Sequence, residues 1–158
     1  MEYHPTVKKS WDKNFEIWRN NPKAYFAQIS AACYTQKFFR WHVGGDIVND
    51  DYLEEMVNIA KIHTGCQFLA FTKKYDLING YLNNHREGFP KNLKIILSRW
   101  GDWPLPNPYR LPESTVIFKD TEVKDDWKIC GGNCTECACR GIGCWELKDG
   151  ETIAFYEH

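Results

Sequence analysis

The chain has 158 residues, 43% of them hydrophobic, and its 20 basic and 21 acidic side chains leave a formal net charge of -1. That balance offers no basic field for a nucleic-acid backbone, and no apolar run approaches the roughly 18 residues of a membrane span. The length suits one domain, residues 1–158, with enough chain to bury a core unaided.

Taken in order, Ser10 is placed to cap a first helix carrying Trp11, Phe15, Ile17 and Trp18. A second helix starts near Pro22, where a missing N–H costs nothing, and carries Tyr25, Phe26, Ile29 and Ala32. Phe38 to Val43 reads as a strand that Gly44 and Gly45 end, with His42, Arg40 and Phe38 alternating onto one face. Asn49 or Asp50 caps the next helix, whose apolar residues Leu53, Met56, Val57 and Ala60 recur at helical spacing. Gln67 to Thr72 is a continuously apolar strand, Tyr75 to Leu82 a short helix, and Leu93 to Leu97 a third strand. The proline-rich stretch 103–112 is an irregular wrap, Thr115 to Lys119 a fourth strand, and Thr152 to Tyr156 a closing strand. Strand alternating with helix predicts an α/β domain: a small, mainly parallel sheet flanked by helices, with a C-terminal cysteine-rich metal loop.

In such sheets ligands collect at the C-terminal strand ends. The residues expected there are His42, Gly44, Gly45 and Asp46 after the first strand, Thr72 and Lys73 after the second, and Ser98 and Trp100 after the third. His42 and Asp46 are the acid–base candidates. Each also has a plain structural reading, His42 as a satisfied polar group and Asp46 as a cap for backbone N–H groups. No Gly-x-Ser-x-Gly elbow points to a serine hydrolase.

The densest chemistry lies at residues 130–144, which hold five of the seven cysteines with gaps of three, two, one and four residues. The polar start, Met1 to Ser10, lacks the apolar core of a secretory signal, so a cytoplasmic chain with reduced thiols is expected and disulfides are disfavoured. Structural zinc usually takes two pairs of ligands set apart by a longer spacer. The crowded run here is closer to those that wrap an iron–sulfur cluster, 4Fe–4S, or 3Fe–4S if one iron is labile. Cys130, Cys134, Cys137 and Cys144 are the expected ligands, with Cys139 the rival for the fourth position and zinc the alternative metal. Cys33 and Cys66 read as core or spare thiols.

The segments Phe39-Arg40-Trp41-His42-Val43-Gly44-Gly45-Asp46 and Phe68-Leu69-Ala70-Phe71-Thr72-Lys73, with the late Cys-Gly-Gly-Asn-Cys-Thr-Glu-Cys and Cys144-Trp145, resemble the phage-encoded gene product 88 family over roughly Phe38 to Trp145. The resemblance implies a bacteriophage origin and a metal or iron–sulfur centre. More loosely, the spacing of Cys130, Cys134 and Cys137, with Gly44-Gly45-Asp46 after a strand, is similar to radical S-adenosylmethionine enzymes. Two functions follow as expectations. One is a redox or structural cluster protein, and the other a cluster-dependent hydrolase, esterase or lyase using His42 and Asp46. The expected partner is a small molecule or a redox protein, with neither membrane nor nucleic acid.

Overall fold

In a computed structural model, residues 5–42, 44–99 and 105–157 are described. Expectations placed on Val43 and Trp100, and on residues 103 and 104 of the proline-rich wrap, lie outside them. The chain begins with helices α1 (Pro5–Asn20) and α2 (Pro22–Cys33). Ser10 is not a cap: it lies inside α1 and its hydroxyl donates back to the Thr6 carbonyl at 3.0 Å. Asn21 does cap α2, accepting from the Ala24 N–H, and Pro22 opens that helix.

Strand β1 (Phe38–Arg40) is followed by α3 (Asp50–Ile62), β2 (Gln67–Thr72), α4 (Tyr75–Asn84) and β3 (Leu93–Ser98). Asn49 caps α3 through the Tyr52 N–H at 2.9 Å. Strand β1 is shorter than its sequence suggests, because the backbone turns left-handed at His42, φ 49°. His42 therefore leaves the face it was expected to share with Arg40 and Phe38.

Strand β4 (Glu113–Ile117) lies two residues earlier than the apolar run implied. It begins just after Pro112, which lacks an N–H to donate, and ends where Phe118 and Thr121 close a turn. Then come β5 (Trp127–Ile129), α5 (Cys134–Arg140), a 3-10 turn (Gly143–Trp145) and β6 (Thr152–Tyr156). The six strands form one sheet in the order β1-β2-β3-β4-β6-β5, every neighbouring pair parallel.

The path of the chain determines which face each connection covers. From β1 to β3 each strand is added on the same side of the last, so right-handed crossovers put α3 and α4 on one face. There they bury Leu53, Met56, Val57 and Ile78 against Phe68, Ala70, Ile95 and Leu97. The step from β5 to β6 runs the opposite way, since β6 inserts between β4 and β5. The same handedness then sends the cysteine-bearing connection to the other face. It packs on Leu69, Ile96 and Ile153 through Leu147, Cys144 and Trp145, and Trp145 meets Phe38 edge-on at 5.3 Å.

Lys94 fastens this connection. Its ammonium group, on the same face of β3 as Ile96, donates to the carbonyls of Trp145 and Leu147, both at 2.7 Å. Burial lowers its pKa below that of an ordinary lysine. Cys33 and Cys66 lie in the helix-side core, where burial pushes the Cys66 thiol up to about 11.

Candidate metal centre and adjoining groove

Asn133 accepts from the Glu136 N–H at 3.0 Å and starts α5, and Gly141 ends it in the left-handed region at φ 60°. Within α5, Cys134 and Cys137 are three residues apart and share a helical face, whereas Cys139 falls on another. Cys130, Cys134, Cys137 and Cys144 line one hollow of about 20 Å3, walled by Arg40, Leu69, Phe71 and Phe155. Cys139 is exposed and is not in that lining. Gly143 is required by both shape and space: its φ is 64°, and an added Cβ would stand 3.3 Å from the Cys137 sulfur.

Two N–H groups address these sulfurs. Arg40 Nη1 lies 3.3 Å from Cys134 Sγ, and the Gly132 N–H lies 3.4 Å from Cys130 Sγ. The Arg40 guanidinium also rests over the Phe71 ring at 5.0 Å. Burial, followed by the neighbouring Cys130 and Cys134, pushes the Cys144 thiol up to about 12. Burial and the same two neighbours raise Cys137 as well. Clustered thiols are the soft donors a thiophilic metal takes, and at Cys137 and Cys144 binding one would have to displace a proton that burial holds. Among the described residues, however, no three His, Cys, Asp or Glu side chains converge as a single ion would require.

A second, larger hollow opens beyond the C-terminal end of β1, between α1, α2 and the β1–α3 connection. This groove of about 660 Å3 has Arg40, Trp41, His42, Gly44, Gly45 and Asp46 along one side and Trp11, Phe15, Trp18, Tyr25 and Tyr52 among its aromatic walls. Trp11 crosses Gly44 so closely that an added Cβ would stand 2.2 Å from its ring. His42 Nε2 is 3.0 Å from the Tyr52 hydroxyl, which is 3.0 Å from that of Tyr25.

Asp46 faces inward to the fold. Its Oδ1 accepts from the Ile47 N–H at 2.7 Å and from the Thr72 hydroxyl at 2.5 Å, and its Oδ2 accepts from the Lys73 N–H at 2.9 Å. It thereby ties the β1–α3 connection to the end of β2. Of the residues expected at the strand ends, His42, Gly44, Gly45 and Asp46 share the groove. The Thr72 hydroxyl and the Lys73 N–H both donate to Asp46, the Thr72 hydroxyl also accepts from the Lys74 N–H at 3.0 Å, and Ser98 accepts from Ser114 on β4 at 3.2 Å. Trp100 is outside the described residues. Sequence reasoning missed Arg40, which lines both hollows. The available signal was a lone charge alternating with Phe39 and Trp41, whose rings enter the helix-side core.

Burial lowers the His42 pKa below its ordinary 6.5, and the Asp46 carboxylate offsets this only in part. The unfolded chain then takes up this proton at a higher pH than the folded one, so stability falls as pH drops below about 6.5. NMR titration is expected to give a His42 midpoint below 6.5. His42→Phe is expected to flatten the acid limb of a denaturation-versus-pH curve, and a midpoint above 6.5 would refute this.

A family model described as gene product 88 matches residues 2–148. No curated protein and no solved structure matches the chain. The likeness to radical S-adenosylmethionine enzymes thus rests on cysteine spacing and the Gly44-Gly45-Asp46 step alone. No described helix is long and apolar enough to cross a membrane.

Proposed function

The chain belongs to the gene product 88 family, matched across residues 2–148, and from that premise we propose that it is a phage-encoded iron–sulfur protein of the host cytoplasm, its cluster held by Cys130, Cys134, Cys137 and Cys144 in a redox or structural role. The observation that carries this reading is the gathering of those four thiols around one hollow, with Cys139 left out. Their short spacing favours iron–sulfur over zinc, which usually takes two separated pairs. Holding the cluster requires the segment to draw its sulfurs together, and Gly132, Gly141 and Gly143, all at positive φ, supply the turns for that adjustment.

When bound, such a cluster supplies a one-electron couple whose potential depends on net charge, hydrogen bonds to sulfur and solvent exposure. The chain's own residues address each of these. Arg40 brings a positive charge and an N–H to Cys134, the Gly132 N–H reaches Cys130, and Leu69, Phe71 and Phe155 keep water from one side. A redox or structural role is preferred to hydrolysis because the acid–base candidates are otherwise engaged. Asp46 accepts three hydrogen bonds that hold the fold, and His42 bonds Tyr52.

Anaerobically purified protein is expected to be brown, with broad absorbance near about 400 nm and about three to four irons per chain. Colourless protein carrying one zinc per chain would end the iron–sulfur reading.

A further inference from the structure

Beyond the cysteine hollow, we propose that the groove between α1, α2 and the β1–α3 connection binds a flat, uncharged aromatic small molecule that carries a hydrogen-bond acceptor. Three independent features point there. The first is size and lining: about 660 Å3, with indole and phenol rings forming much of the wall. Small-molecule sites are typically about 300–1,000 Å3, largely apolar, with a few polar groups that fix orientation. Trp11 and Trp18, both half-buried, offer ring surface against which a planar molecule can stack.

The second is a set of unpaired nitrogens. Trp41 Nε1 and His42 Nδ1 are both buried without a hydrogen-bond partner, and these consecutive residues both line this groove; Arg40 Nε is unpaired too, but that side chain runs to the cysteine hollow. Leaving a buried donor unpaired is unfavourable, and native chains keep few such groups. His42 also holds a left-handed backbone that non-glycine residues seldom adopt. Unpaired donors and backbone strain therefore fall on the same short stretch. Trp41 Nε1 can only donate, so the occupant must supply an acceptor such as a ring carbonyl or ring nitrogen. These nitrogens lie under the groove's surface, and binding opens the wall locally to reach them.

The third is charge. Among the described lining residues the charges are already engaged: Asp12 pairs with Lys8 at 2.7 Å, Asp46 accepts from Ile47, Thr72 and Lys73, and Arg40 Nη1 is directed to Cys134. With these charges engaged, the described lining offers no unpaired cation to a carboxylate or phosphate, and the site selects for an uncharged occupant.

Equilibrium dialysis tests this with two probes of similar flatness: lumichrome, which is neutral and rich in acceptors, and 2-naphthoate, which is anionic. Lumichrome is expected to bind saturably at one per chain, at least fivefold more tightly than 2-naphthoate. Trp11→Ala, which removes a wall, and His42→Phe, which keeps a ring but removes its nitrogens, are each expected to weaken lumichrome at least fivefold. Phe118→Ala, exposed and outside the groove, should leave binding unchanged. Circular dichroism identifies any variant that fails to fold, and Trp11→Ala and His42→Phe alter different walls, so either suffices. The proposal is overturned if lumichrome does not saturate, if 2-naphthoate binds as tightly, or if folded Trp11→Ala or His42→Phe protein binds lumichrome as well as the parent. The test needs no iron, so its failure leaves the cluster reading untouched.

Discussion

Serine in place of Cys130, Cys134, Cys137 or Cys144 is expected to cut bound iron from about three to four atoms per chain to less than one, because removing one thiolate opens a corner of the cluster to water and loss. Cys139→Ser, Cys33→Ser and Cys66→Ser should keep the parent's iron and colour. Position on α5 decides the contrast. Cys134 and Cys137 lie three residues apart on the face turned to the hollow. Cys139, two residues beyond Cys137, is rotated away and exposed. Cys144 comes from the 3-10 turn and is brought back by Gly141 and Gly143. Iron and sulfide assays on anaerobic preparations check the series. Loss of iron on Cys139→Ser, together with full retention on Cys144→Ser, would reverse the ligand assignment.

Much of the scaffold was legible because its signals are local. The continuous apolar runs of β2 and β3, and the helical spacing of Leu53, Met56, Val57 and Ala60, each have one good solution. The parallel α/β arrangement follows from their alternation. The placement of the cysteines was not legible, and one short strand accounts for that. Trp127–Ile129 has three residues, too few to show a period, and without β5 the order β4-β6-β5 cannot be foreseen. That order sends residues 130–151 to the face opposite the helices, where they meet Arg40 and not His42 or Asp46. The α5 helix also falls where the sequence predicts a cysteine-rich loop, although Asn133 and Glu136 hold the spacing of a cap followed by an acid in the first turn. A seven-residue helix gives almost no apolar repeat, and the glycines around it dominate the local signal. The groove was only half visible. Its polar side follows β1 in sequence, but its aromatic walls come from α1 and α2, and their approach is a matter of tertiary packing.

Asp46 is where the sequence left two readings open, and the geometry gives the strongest expectation for stability. One carboxylate receives the Ile47 and Lys73 N–H groups and the hydroxyl of Thr72, a residue only 1% exposed. Hydrogen bonds to a charged acceptor contribute more than neutral ones, and truncation would leave the buried Thr72 hydroxyl without this partner, so Asp46→Ala is expected to cost about 3 kcal/mol. Asp46→Asn retains one acceptor oxygen but places an NH2 group opposite another donor, and should lie between Asp46→Ala and the parent. Thr72→Val removes the hydroxyl while keeping its shape, and in the Asp46→Ala background it should add less than it costs alone, because the two groups share one bond. Urea denaturation of the four proteins measures this cycle. Should Asp46→Ala unfold within about 0.5 kcal/mol of the parent, the range of an ordinary surface change, the carboxylate would not be holding the β1–α3 connection to β2. Asp46 would then return to the groove as a group free to act on a ligand.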